Sequence, residues 1–183
     1  MKDFENLTEV TTGSEEIFNG VILHVLKDTV ELPNGHAATR EVIRHVGAVG
    51  VVPLTDDGKV IIERQFRYPL NRVITEIPAG KLDSFTEDRL SAAKRELEEE
   101  TGYTAKQWLE LGDYYPAAAY CDERITLYLA RGLELGTRHL DEDEFLNFEA
   151  VPLTDLVEDV MAGRITDGKT QVAILKTARL LEK

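Results

Sequence analysis

Four glutamates crowd one short stretch of the chain, Arg95-Glu96-Leu97-Glu98-Glu99-Glu100-Thr101-Gly102-Tyr103. On a helix advancing about 100° per residue, Glu96, Glu99 and Glu100 fall at i, i+3 and i+4 and share a face, while Glu98 points roughly the opposite way. Carboxylates gathered in this way repel one another at neutral pH unless a cation offsets them. Hard divalent ions such as Mg²⁺ take oxygen ligands and leave room for substrate phosphates to complete their shell. The competing reading of any acidic cluster is a solvated helix face. Here Leu90, Ala93 and Leu97 form an apolar stripe beside the acids, which places them near a buried boundary. Arg95 stands among them as an orienting partner.

Such a helix needs a scaffold to hold it against a substrate. Ile77-Pro78-Ala79-Gly80-Lys81-Leu82 reads as a strand end running into a glycine loop. Thr86 is the expected N-cap, with Glu87 and Asp88 in the first turn, and the spacing predicts a helix over 87–101 ending at Gly102. The run 48–53 reads as a buried strand, Asp56-Asp57-Gly58 as a hairpin turn, and 60–66 as the returning strand. Further strands are expected near 73–77, 107–114, 124–131 and 146–151. Helices are expected from Thr154, as N-cap, to about Gly163, and over 168–181. Helices packed on two sides of mixed strands give an α/β/α sandwich over residues 46–183. Residues 1–45 form a separate small antiparallel sheet. In it 17–31 alternates as a single strand, Pro33-Asn34-Gly35 turns, and 39–46 returns.

With 183 residues, 43% of them hydrophobic, the chain suits one domain with a small extension. A net charge of −13 argues against binding nucleic acid or acidic membranes, but not against a phosphorylated small molecule approached through a metal. Cys121 is the only cysteine, so no internal disulfide forms and a reducing cytoplasm is the expected location. The start lacks an apolar signal core, and no apolar run is long enough to span a membrane.

The residues Gly80, Glu87, Arg95, Glu96, Leu97, Glu99, Glu100, Gly102 and Tyr103 resemble the Nudix box, G-x5-E-x7-R-E-U-x-E-E-x-G-U, with U apolar. One departure is visible: six residues rather than five separate Gly80 from Glu87, so the loop is one residue longer. Arg64-Gln65-Phe66-Arg67-Tyr68-Pro69, Glu76-Ile77-Pro78-Ala79-Gly80, Leu32-Pro33-Asn34-Gly35 and Asp141-Glu142-Asp143-Glu144-Phe145 look like the ADP-ribose pyrophosphatase branch of that family. A second departure lies about sixteen residues past the box. There the branch carries Ser-Pro-Gly and this chain has Ala117, Ala118 and Ala119.

The resemblance implies a Nudix-type fold and metal-dependent hydrolysis of a pyrophosphate bond. ADP-ribose is the leading substrate, giving AMP and ribose 5-phosphate, and a nucleoside diphosphate sugar is the alternative. A different class, a Nudix-fold nucleotide sensor that binds without cleaving, is disfavoured because the box acids are kept. Glu96, Glu99, Glu100 and the backbone carbonyl of Ala79 are the implied ligands of Mg²⁺, with Mn²⁺ as a substitute. The general base is expected to be Glu144 or Glu142 in the acidic loop, or else Glu99 within the box. Arg67, whose planar fork of donors suits phosphate, is the chosen clamp. Arg40, Glu41 and Glu123 are candidates for contacting the rest of the substrate. Gly80, Glu87, Arg95 and Gly102 are expected to support the loop and helix. A homodimer is implied, built through residues 1–45. The four histidines, Trp108, and the Tyr114-Tyr115 pair are expected to be structural, and Cys121 is not proposed as a nucleophile.

Overall fold

In a computed structural model, residues 7–136 and 146–182 of the chain are described. They fall into two compact units, one made of residues up to His45 with Ala117–Glu123, the other of Val46–Pro116 with Arg124 onward.

The first unit is a three-stranded antiparallel sheet, β1 (Val10–Asn19), β2 (His24–Glu31) and β3 (Ala37–Arg44), in that order. The alternation read as one strand over 17–31 is broken at residues 20–23, where Gly20 N–H donates to the Leu23 carbonyl at 2.9 Å. Val21, taken from sequence as one side of a strand, is 93% exposed at this turn. β1 went unrecognised before residue 17 because Val-Thr-Thr-Gly-Ser-Glu-Glu is polar and exposed throughout, with no apolar period to mark it. Ala117–Glu123 joins this sheet through Ile43 N–H to the Tyr120 carbonyl (2.7 Å) and Asp122 N–H to the Ile43 carbonyl (3.2 Å).

The second unit is built on β4 (Ala48–Leu54), a strand buried at every position. It pairs in parallel with β9 (Ile125–Leu135) and antiparallel with β5 (Lys59–Arg67) and the short β7 (Ala79–Lys81). β6 (Arg72–Glu76) and β10 (Leu146–Pro152) extend the sheet on β5, and β8 (Tyr103–Tyr114) extends it on β9. The result is a mixed seven-stranded sheet.

Because side chains alternate along a strand, β4 feeds two separate cores. Val49 and Val51 pack with Leu82, Ala92, Ala93 and Leu97, the apolar stripe of helix α1 (Arg89–Thr101). Val52 and Leu54 pack with Leu156 of α2 (Leu153–Met161) and Ala173 and Ile174 of α3 (Gly168–Leu181). This is the expected α/β/α layering. Fully burying a side chain such as Leu97 contributes about 2 kcal/mol, and that packing fixes the rotational setting of α1. No helix among the described residues is long and apolar enough to cross a membrane.

Two helix starts differ from the sequence reading. The N-cap of α1 is Asp88 rather than Thr86: its carboxylate accepts from Ser91 N–H at 2.8 Å. Thr86 sits in the preceding turn, its hydroxyl 3.3 Å from that of Ser84. α2 begins at Leu153 with no side-chain cap, and Thr154 lies inside its first turn, bonded to Asp155. Asp167 caps α3 by accepting from Thr170 N–H at 3.0 Å.

Candidate active site

The corner between β7 and α1 gathers most of the box residues. Leu97, Ala92 and Ala93 point α1 into the core, which swings Glu96 and Glu100, one and three residues away from Leu97, toward the β7 strand. Both are buried, at 8% and 5% exposure, whereas Glu98 is exposed. Glu99, on the same face, is more open.

Gly80 is indispensable to this approach for steric reasons. A Cβ at that position would stand 2.0 Å from Glu96 Cδ and 2.1 Å from either carboxylate oxygen. The glutamate occupies the space a side chain would need. One residue earlier, Ala79 N–H donates to Glu100 Oε2 at 2.9 Å, so the peptide before Gly80 aims the second buried acid.

Arg95 ties the remaining acids together. Its Nη1 donates to Glu96 Oε1 at 2.8 Å and Glu99 Oε2 at 3.0 Å, and Nη2 to Glu87 Oε1 at 3.3 Å. Burial opposes the charge on this guanidinium, but attraction from Glu96 and hydrogen bonds to Glu99 and Glu96 outweigh it, so its pKa is raised. Glu87 also accepts from Asp83 N–H at 2.6 Å, closing the lengthened loop onto its own chain. Gly102 ends α1 in the left-handed region at φ 75°, its N–H donating to the Glu98 carbonyl at 2.8 Å.

A second constellation sits at the end of β5. Arg67 does not stand alone. Its Nε donates to Glu76 Oε1 at 2.6 Å and its Nη2 to Glu76 Oε2 at 2.9 Å, a bidentate fork. Glu76 is almost fully buried and also pairs with the Lys169 ammonium, which lies 3.1 Å from Asp167 Oδ2. Burial alone would raise the Glu76 carboxyl. Hydrogen bonds from Arg67 and the Lys169 charge outweigh it and hold the carboxyl below the usual carboxylate range. Glu100 is among the acids that raise the Arg67 pKa, so the two constellations share one electrostatic field.

The structure thus brings together Ala79, Gly80, Glu87, Arg95, Glu96, Glu99 and Glu100, with Gly102 closing their helix. Arg40, Glu41 and Glu123 belong to the first unit. There Arg40 pairs with Glu9 at 2.5 Å, Glu41 is exposed on β3, and Glu123 lies 3.8 Å from His45 Nδ1. Glu142 and Glu144 lie outside the described residues. Trp108 packs edge-on to Tyr128 at 6.2 Å and bonds the Ala105 carbonyl, a packing role. Sequence reasoning missed Glu76 and Lys169 as site neighbours. A lone lysine at a helix start carries no signal of its partner, which lies 93 residues away.

Among the described residues no three His, Cys, Asp or Glu side chains form a ready-made metal cage. The donor set still fits a hard divalent ion. Glu87, Glu96 and Glu99 share one guanidinium, Glu100 is held by the Ala79 N–H, every side-chain donor is oxygen, and the excess charge is negative. Mg²⁺ is characteristically held by one or two carboxylates plus substrate phosphates rather than by an all-protein cage.

Comparison with known proteins agrees with this geometry. The NUDIX domain profile matches residues 44–171, and that of the nucleoside diphosphate sugar hydrolase N-terminal domain matches residues 9–43. The chain is 44% identical over 172 residues to an ADP-ribose pyrophosphatase of Bacillus subtilis (strain 168), covering 93% of this chain and 92% of that protein. It is 41% identical over 168 residues to the methanol dehydrogenase activator of Bacillus methanolicus, covering 91% and 90%. A crystal structure of an ADP compounds hydrolase superposes with a TM-score of 0.86 at 22% identity, over 98% of this chain and 97% of that one. Members of the matched family typically depend on a divalent metal. From the acids packed under Gly80 outward to relatives aligned nearly end to end, the observations converge: this chain belongs to the Nudix family.

Proposed function

We propose that this protein hydrolyses the pyrophosphate bond of ADP-ribose, or of a closely related nucleoside diphosphate sugar, with Mg²⁺ as cofactor. The products are a nucleoside monophosphate and a sugar phosphate. The observation that carries this reading is the packing of Glu96 against bare Gly80, with Glu100 aimed by Ala79. It concentrates buried negative charge where a cation and a diphosphate would meet. The ADP-ribose pyrophosphatase of Bacillus subtilis, aligned over most of both chains, supports the substrate class.

Bound Mg²⁺ would neutralise the diphosphate and acidify a coordinated water. Glu96, Glu99, Glu100 and the Ala79 carbonyl would hold it. Arg95 keeps Glu96 and Glu99 oriented and limits their mutual repulsion. Glu99 is the most open of the three acids, so its carboxylate is the one bulk water reaches and a candidate to take the proton of the attacking water. Glu144 and Glu142 are the alternatives for that role. Arg67 presents the donors not used by Glu76 to a phosphate.

The nucleotide-sugar alternative is favoured by the N-terminal match to nucleoside diphosphate sugar hydrolases and by Ala117-Ala118-Ala119 in place of Ser-Pro-Gly. The chain is further proposed to act as a homodimer through its first unit, where Val10, Ile17, Phe18, Val21 and Ile22 are each more than half exposed.

A product assay over ADP-ribose, nucleotide sugars, NADH and dinucleoside polyphosphates with Mg²⁺ tests the reading. AMP and ribose 5-phosphate from ADP-ribose are the expected result. Tight binding of these compounds with no cleavage would instead establish a sensor.

A further inference from the structure

We infer that Glu76 and Lys169 are positioning residues for substrate phosphate, acting through Arg67. The inference rests on the reading of Arg67 as the phosphate clamp.

A guanidinium has five N–H donors, and its direction is set by which of them are already engaged. Glu76 takes the Nε and one Nη2 hydrogen of Arg67 in a two-point contact at 2.6 and 2.9 Å. That contact fixes the plane of the fork and leaves the Nη1 end facing away from the carboxylate. Glu76 can do this because it is itself immobilised. Its side chain is only 4% exposed, and its Oε2 also receives the Lys169 ammonium. Lys169 is held in turn by Asp167, the N-cap of α3, whose carboxylate accepts from Thr170 N–H and hydroxyl. Thr170 hydroxyl bonds Ile77 N–H at 2.9 Å, two residues before Ala79. The first turn of α3 is thereby fastened both to the clamp and to the connection that leads into β7, whose Ala79 N–H bonds Glu100.

The charges explain why the arrangement suits an anion. Arg67 and Lys169 offset Glu76 and Asp167, so the quartet is neutral and Glu76 does not repel an incoming phosphate as a lone carboxylate would. Lys169 is buried and cannot reach out as a ligand; its effect on substrate passes through Glu76.

A double-mutant cycle in the full-length, Mg²⁺-loaded chain tests this. Glu76→Gln is expected to raise KM for ADP-ribose about tenfold, with kcat changed less than about threefold, because a charged contact orienting a binding group is lost. Calorimetric affinity for the product AMP should weaken in parallel. In an Arg67→Ala background, Glu76→Gln should add nothing further. Lys169→Met, run through the same cycle, supplies the result if Glu76→Gln does not fold. Additive effects on KM, with Arg67→Ala alone raising KM, overturn the positioning role and leave the proposed reaction intact. An unchanged KM in Arg67→Ala strikes at the clamp itself, and the inference falls with it.

Discussion

The Glu96 carboxylate lies where a side chain on residue 80 would have to be, 2.0 Å from the position of a Cβ. Gly80→Ala must therefore push Glu96 aside or shift β7. A displacement of about 1 Å at a catalytic ligand costs roughly a hundredfold in rate, so kcat should fall by about that factor. Overpacking should lower stability by about 1–3 kcal/mol. Steady-state kinetics with thermal melting checks both. A Gly80→Ala variant with full turnover would show that the contact does not matter.

Glu100→Gln keeps shape and removes charge. Turnover should drop roughly a thousandfold, the several kcal/mol that metal-borne stabilisation is worth, with the fold preserved by circular dichroism. Glu98→Gln, on the exposed side of the same helix turn, is the control and should stay near wild type. Equal losses in the two would mean that general acidity, not this face, is what counts.

Arg95→Ala leaves Glu87, Glu96 and Glu99 without their common partner. Partial exposure tempers the loss to about 1–2 kcal/mol of stability. Melting temperature should fall, and high Mg²⁺ should recover part of it by replacing the missing positive charge. A melting point indifferent to Mg²⁺ in this variant would contradict the shared-charge account.

Chelation provides a separate check. Removing divalent ions with EDTA should abolish hydrolysis, and Mg²⁺ or Mn²⁺ should restore it. Added Mg²⁺ should also raise the melting temperature by mass action, and Glu100→Gln should blunt that rise.

Glu76 adds an acid-dependent component to stability. Its carboxyl is held below its ordinary value, by Arg67 and Lys169 against the opposing effect of burial. The unfolded chain therefore binds the proton more readily. The contribution is complete above the unfolded pKa and fades as pH falls below about 4.3 toward the lower folded value. Wild type should melt above Glu76→Gln at neutral pH, and the gap should close as the solution is acidified. A constant gap from pH 7 to about 3 would contradict this.

The acidic face of α1 and the β4 core were plain in the sequence because each follows from local spacing: i, i+3, i+4 for Glu96, Glu99 and Glu100, and an unbroken apolar run for β4. The cap of α1 is Asp88 rather than Thr86: the Thr86 hydroxyl lies against Ser84, Glu87 closes the loop onto Asp83 and Arg95, and Asp88 accepts from Ser91 N–H. That arrangement depends on three-dimensional proximity. β1 and the turn at 20–23 differ from the sequence pattern for the opposite reason. The strand shows no apolar alternation, and the exposed turn carries Val21, Ile22 and Leu23, which mimic a strand. Arg67 is legible from its donors, but its carboxylate partner and the lysine behind it come from β6 and α3, joined only by folding.

Helix α1 alternates, almost residue by residue, between sealing the interior and presenting chemistry: Leu97 and Ala93 face the sheet while Glu96 and Glu100 face β7. Neither duty can drift independently. Directed evolution for heat tolerance should find its improvements outside this segment. A substitution that slackens the fit of Leu97 should lower the melting temperature and alter cation affinity together.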